Sequence, residues 1–114
     1  MKPLISILIP AYERPDYLRR SLKQIALQSF RDFEVIITDD SATDVIESFL
    51  HEQTYDFPIR YRRNRPAKGT PLNWTSGIDL AAGEWIKILH DDDWFARPDS
   101  LDKYVRAIRP EIDL

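Results

Sequence analysis

The chain is expected to be α/β: an open, mostly parallel sheet with helices on both faces. Two observations predict this. Strand-length apolar runs alternate four times with segments of helical periodicity across 114 residues, as they do when crossover helices link parallel strands. The first run, Leu4-Ile5-Ser6-Ile7-Leu8-Ile9, is apolar at nearly every position, as in a strand buried on both sides.

Taken in order, that first strand ends at Pro10, and Ala11 to Arg14 form a loop. Pro15 suits the first turn of a helix. Leu18, Leu22, Ile25 and Ala26 recur at helical spacing, with Arg19, Arg20 and Lys23 on the other side. Phe33 to Thr38 is a second strand, closed by Asp39-Asp40. Thr43 or Asp44 can cap a helix whose core side holds Ile46, Phe49 and Leu50. A shorter strand follows from Ile59 to Arg62, then a polar loop to Thr70. Pro71 opens a third helix predicted to run to about Ala82, with Gly83 ending it. Trp85 to Leu89 is the fourth strand. Pro98-Asp99-Ser100 starts a last helix with Leu101, Tyr104, Val105 and Ile108 on one face. Pro110 to Leu114 resembles the lead-in to another strand, so residues 1–114 are expected to be part of a larger domain.

Composition sets the bounds. At 43% hydrophobic and 31% charged residues the chain is globular, and long enough to bury roughly two thirds of its unfolded surface. A net charge of −3 argues against a nucleic-acid footprint. With no cysteine, disulfides and thiolate metal sites are excluded. No apolar run of about 18 residues occurs, and the expectation is of no signal peptide or membrane span within these residues. The cytoplasm is the expected compartment, with the inner face of a membrane open to the full-length protein.

The chemistry should lie outside the carboxyl ends of the strands. That edge presents Pro10-Ala11-Tyr12-Glu13, Asp39-Asp40 and Asp91-Asp92-Asp93. Three adjacent carboxylates after an apolar strand repel one another unless a cation sits among them. Carboxylate oxygens suit Mg²⁺ or Mn²⁺ with substrate phosphates completing the shell; a solvated acidic turn is the alternative. Arg60, Arg62, Arg63, Arg65 and Lys68 form a run without an acid. It reads either as a phosphate-holding rim or as a solvated loop, and strand alternation sends some of it to the other face. Only three glycines occur, so no glycine-rich phosphate loop can be written, and a metal ion is the natural substitute. Asp39 and Asp40 can accept hydrogen bonds from a base N–H or a ribose hydroxyl. Tyr12 is either a flat face for a base or a core tyrosine. His90, next to the acids, reads either as a ligating or orienting group or, as strand-end histidines more often are, as structural. Trp74, Trp85, Trp94 and Phe95 read as packing, with Trp94 nearest the pocket.

Together these segments resemble glycosyltransferase family 2, inverting enzymes of the GT-A fold. Ser6-Ile7-Leu8-Ile9-Pro10-Ala11-Tyr12-Glu13-Arg14 resembles the opening strand and loop, where Asn commonly stands in place of Glu13. Gln28 to Ile37 and Asp39-Asp40-Ser41-Ala42-Thr43-Asp44 resemble the second motif, with Ser41 and Ala42 replacing the usual Gly and Ser. Ala82-Gly83-Glu84-Trp85-Ile86, His90-Asp91-Asp92-Asp93 and Pro98-Asp99-Ser100-Leu101 resemble the segment with the D-x-D-type metal site. His90 takes the place of a first Asp, and one extra residue lies between Asp93 and Pro98.

The resemblance implies a nucleotide-sugar donor, most commonly UDP-linked, and a glycan or other hydroxyl acceptor. Pro10, Ala11, Tyr12 and Glu13 would border the nucleotide, Asp40 would accept from the base, and Lys68 would reach base or phosphate. Asp91 would lie near ribose and diphosphate, Asp92 would be the main Mg²⁺ or Mn²⁺ ligand, and Asp93 would support it. The general base would lie beyond residue 114, so this chain would carry donor binding and no catalytic residue. Two rivals remain: a non-catalytic nucleotide-binding or assembly module of the same fold, and a receiver-like phosphoacceptor domain. An exposed sheet edge would also favour self-association.

Overall fold

In the computed structural model the described residues are 2–64, 66, 69, 72–90 and 95–108, with Trp74 described by its backbone alone. The elements are β1 (Ile5–Ala11), α1 (Pro15–Ala26), β2 (Phe33–Asp39), α2 (Val45–His51), β3 (Ile59–Arg63), α3 (Leu72–Thr75), β4 (Trp85–Ile88) and α4 (Ser100–Ile108), with a 3-10 turn at Ile78–Leu80. The four strands form one sheet in the order β3-β2-β1-β4, and every pairing is parallel. The expected α/β architecture is thus observed.

Strands β1 and β2 are buried along their whole lengths, which accounts for their unbroken apolar character. Their odd-numbered residues, among them Ile5, Ile7, Ile9, Val35 and Ile37, form one core with Leu18, Leu22 and Ile25 of α1, Ile46 and Phe49 of α2, and Leu101 and Val105 of α4. Each fully buried aliphatic side chain contributes about 1.5–3 kcal/mol. Pro15 opens α1, with Asp16 in the first turn and Lys23 in the last, each sign matching the helix dipole.

The opposite face is covered differently. The predicted helix from Pro71 to Ala82 is replaced by the one-turn α3 and the 3-10 turn. Ser76 turns its hydroxyl back to the Asn73 carbonyl at 2.7 Å, competing with helix propagation. Gly77 passes so close to the sheet that a Cβ would lie 2.4 Å from Leu8 Cδ1 and 2.6 Å from Thr38 Cγ2. Gly83 likewise does not end a helix. It lets the segment before β4 approach β1, where a Cβ would stand 2.6 Å from the Ser6 amide nitrogen.

Two further expectations are corrected. Strand β1 runs through Pro10 to Ala11. The proline is tolerated because β4 pairs only with Ile5 to Leu8, leaving that side of Pro10 outside the ladder. Trp85 is not core packing: β4 is an edge among the described strands, and Trp85 and Ile86 are 39% and 36% exposed. Among the described residues no helix is long and apolar enough to cross a membrane.

Candidate functional site

Parallel register aligns Ala11 with Asp39 and Asp39 with Arg63, so the loops after β1, β2 and β3 leave from one edge. The chain then crosses to the far side of β1 to form β4. That reversal is a topological switch point beside β1, the position where open sheets of this kind take ligands. The Leu89 amide donates to the Leu8 carbonyl at 2.9 Å, so His90 emerges beside the end of β1. Asp91, Asp92 and Asp93, which follow it, lie outside the described residues, as do Lys68, Arg65 and Trp94. Among the described residues no three acidic or histidine side chains cluster to hold a metal ion.

Asp39 and Asp40 are adjacent but serve different ends, because successive residues at a strand end point to opposite sides. Asp39 is fully buried. Its Oδ2 accepts from the Tyr61 hydroxyl at 2.6 Å and its Oδ1 from the Ser41 amide at 2.9 Å. It therefore braces the strand edge, and the expectation that it meets a nucleoside is corrected. Burial, reinforced by that bond to Asp39, pushes the Tyr61 phenol well above its ordinary range.

Asp40 is 5% exposed. Its amide donates to the Ala11 carbonyl at 3.0 Å. Oδ1 accepts from Asn64 Nδ2 at 2.9 Å, and Oδ2 from the Gly69 amide at 2.6 Å. Asn64 Nδ2 also donates to Asn73 Oδ1 at 2.9 Å, and the Ser76 hydroxyl, shared with the Asn73 carbonyl, reaches Asn64 Oδ1 at 3.2 Å. Neither asparagine stood out in the sequence. The available signal was Asn73 inside a predicted helix, a position asparagine disfavours unless its side chain has other work.

The loop after β1 is tied to the loop after β2. Glu13 has φ +52°, a left-handed conformation that Asn adopts more readily than Glu. Its amide donates to Ser41 Oγ at 2.8 Å. Its carboxylate accepts from the Ala42 amide at 2.7 Å, the Thr43 amide at 3.1 Å and the Thr43 hydroxyl at 2.7 Å. The Thr43 hydroxyl is the main cause holding this carboxyl below its ordinary range, with the two amides and the Arg63 charge adding to it against partial desolvation. The Thr43 side chain is thereby occupied, and Asp44 begins α2 without a side-chain cap. Tyr12 is 58% exposed, which excludes the core-tyrosine alternative. Pro10 and Ala11 are the buried last residues of β1.

The basic run divides by strand alternation. Arg60 donates to the Leu80 carbonyl at 3.0 Å and lies 3.4 Å from the Glu34 carboxylate. Arg62 donates to the Ser76 carbonyl at 3.0 Å and lies 3.4 Å from Asp79. Both guanidinium groups pin the α3 segment to the sheet, so a phosphate role for them is corrected. Arg63 stays at the rim, donating to the Ser41 carbonyl at 3.3 Å.

Comparison with known proteins bears on what this edge does. Residues 6–111 match the family model described as glycosyl transferase family 2. The chain is 36% identical over 93 residues to the GalNAc(5)-diNAcBac-PP-undecaprenol beta-1,3-glucosyltransferase of Campylobacter jejuni, covering 80% of this chain and 30% of that one. Its fold is similar to that of mannosyltransferase PcManGT from Pyrobaculum calidifontis, solved in complex with GDP-Man and Mn²⁺. There the TM-score is 0.86 at 20% identity, covering 96% of this chain and 33% of the other. It is also similar to S. aureus TarS 1-349 in complex with UDP-GlcNAc, with a TM-score of 0.81 at 21% identity, covering 94% and 31%.

Proposed function

The chain belongs to glycosyl transferase family 2, and from that premise we propose that it binds the donor in transfer of a sugar from a nucleoside diphosphate to an acceptor hydroxyl. It spans about 30% of the length of the curated relative described above. We read it as the donor-binding part of a longer domain, with the acceptor site and the general base elsewhere.

The observation that carries this reading is the Asp40 carboxylate, a buried acceptor that takes Asn64 Nδ2 and the Gly69 amide at the carboxyl edge of the sheet. An ionised carboxylate accepts only, so it suits a base that presents an N–H, such as uracil at N3. Tyr12, exposed at the end of β1, supplies a flat face beside it. Pro10, Ala11 and Glu13 complete that wall, and Lys68 is the proposed contact to base or phosphate. Asp91 meets ribose and diphosphate. The donor set Asp92 and Asp93 is all carboxylate oxygen, which fits Mg²⁺ or Mn²⁺ and not a softer metal. When bound, that ion supplies positive charge against the leaving diphosphate. The chain's own share is to orient the base through Asp40 and to hold the loops after β1 and β2 together through Glu13.

UDP is the proposed donor nucleotide, in line with the UDP-GlcNAc complex of the TarS structure; the GDP-Man complex of the archaeal enzyme keeps GDP as the competitor. The name of the Campylobacter relative points to a glycan acceptor on a lipid carrier. The role we propose on this basis is in polysaccharide assembly, in the cytoplasm or at the inner face of a membrane. Calorimetric titration with UDP, dTDP and GDP, with and without Mn²⁺, tests the reading. Metal-dependent binding that disappears in Asp92→Ala is expected. A folded chain that binds none of the three either needs the rest of the longer domain or is the non-catalytic module, and the same titration of the longer protein separates the two.

A further inference from the structure

Asp40, Asn64 and Asn73 are 5%, 4% and 6% exposed, and their side chains form a continuous relay. We propose that Asn64 and Asn73 are positioning residues of the donor site, which fix the plane of the Asp40 carboxylate and tie it to α3. This rests on the reading that Asp40 meets the nucleoside.

A carboxylate turns broadly about χ2, so its orientation is set by its partners. Here two of the partners come from outside its own loop: Asn64 follows β3, and Gly69 precedes α3. The Asn64 amide has no freedom to reverse. Its two hydrogens go to Asp40 Oδ1 and Asn73 Oδ1, both at 2.9 Å, and its oxygen lies 3.2 Å from the shared Ser76 hydroxyl. Turned over, its oxygen would face two acceptor oxygens. Its backbone is fixed as well, since the Asn64 amide donates to the Asp39 carbonyl at 2.8 Å. Asn73 is anchored at both ends. Its amide donates to the Gly69 carbonyl at 2.7 Å, and its Nδ2 to the Ala11 carbonyl at 3.4 Å. Ala11 also accepts from the Asp40 amide. The relay therefore closes on itself across the ends of β1, β2 and β3 and the start of α3. In a buried setting each bond is strengthened, and each missing one leaves a costly orphan.

The consequence is that α3, which holds no proposed ligand contact, sets the direction in which the Asp40 carboxylate meets the base. The test uses the 114-residue chain with UDP and Mn²⁺ as the probe, read by NMR titration, together with amide exchange at Gly69 and urea unfolding. Asn64→Ala is expected to weaken UDP at least tenfold and to speed Gly69 exchange at least tenfold. Asn73→Ala, which leaves the Asn64–Asp40 bond in place, is expected to weaken UDP about threefold. Should Asn64→Ala fail to fold, wild-type affinity in Asn73→Ala overturns the proposal. In an Asp40→Ala background, Asn64→Ala should cost no further affinity; a full second penalty would mark a general structural role and overturn it. Unchanged affinity and unchanged Gly69 exchange in folded Asn64→Ala also overturn it. Failure to bind UDP, in this chain and in the longer domain alike, removes the donor reading and the proposal with it, while Gly69 exchange separately reports whether Asn64 holds Asp40.

Discussion

Gly83→Ala places a methyl group where the structure leaves no room. The added carbon would lie 2.6 Å from both the amide nitrogen and Oγ of Ser6, and 2.9 Å from the Ile5 carbonyl carbon. Ordinary contact begins near 3.4 Å, so something must retreat by several tenths of an ångström. Backbone cannot do so cheaply here. Ser6 pairs with Glu34 on one side and Ile86 on the other, and the Trp85 amide is bonded to the Leu4 carbonyl at 2.9 Å. Overpacking of this kind costs about 1–3 kcal/mol. Separation also strains the Gly83 amide bond to Ser6 Oγ at 2.8 Å, worth about 0.5–1.5 kcal/mol. Loss of glycine freedom in the unfolded chain returns about 0.4–1 kcal/mol. The expected net loss is about 2 kcal/mol, or a Tm lowered by about 10 °C for a domain of this size, read by urea and thermal unfolding. Gly69→Ala is the control. It has φ +71° and nothing within 4 Å, so it loses only about 1 kcal/mol from backbone conformation. A Gly83→Ala loss below about 0.5 kcal/mol, under the range for overpacking, would refute the claim that this contact fixes β4 against β1.

Two other predictions concern carboxylates. Glu34 is 3% exposed, and its Oε2 alone accepts both the Ser6 hydroxyl and the Ala82 amide, each at 2.6 Å. A glutamine side chain keeps a carbonyl oxygen for those two donors, so Glu34→Gln should cost about 1 kcal/mol or less, whereas Glu34→Leu orphans both and should cost about 3 kcal/mol; equal losses in urea unfolding would sink this account. Glu13 has a lowered pKa, so its stabilisation is complete above its ordinary value of 4.5 and is lost as pH falls through the lower folded value. The gap in urea midpoint between wild type and Glu13→Gln should therefore narrow between pH 5 and pH 3 (about the window such a shift sets), and a gap independent of pH would count against the clamp.

Strands β1 and β2 were legible because burial on both faces demands the same residue types everywhere, and α1 because one stripe alone is buried. The break in the third helix was not. It depends on Ser76 and Asn73 finding partners in β1 and just past β3, contacts that no local pattern encodes. The pair Asp39-Asp40 reads as one acidic feature along the chain, yet the pleat sends one carboxylate to Tyr61 and the other to Asn64. Arg60 and Arg62 read as a cationic rim for the same reason: sequence reports charge, while the face is set by register. Glu13 was legible as part of the opening loop, but its grip on Thr43 spans 30 residues and belongs to the folded state alone.

The two faces of the sheet differ in what resists their opening. Helices α1, α2 and α4 are sealed to one face by aliphatic burial, whereas α3 and the 3-10 turn are fastened to the other by Arg60, Arg62, Ser76 and Asn73. Leu8 and Ile36 are buried beneath this flap, but much of its fastening is hydrogen bonds that water can replace, so it is expected to open before the aliphatic core does. Its amides should exchange by a route that leaves the core intact. Any ligand that engages Asp40 would then be felt first as slowed opening of α3, because binding and flap closure draw on the same bonds.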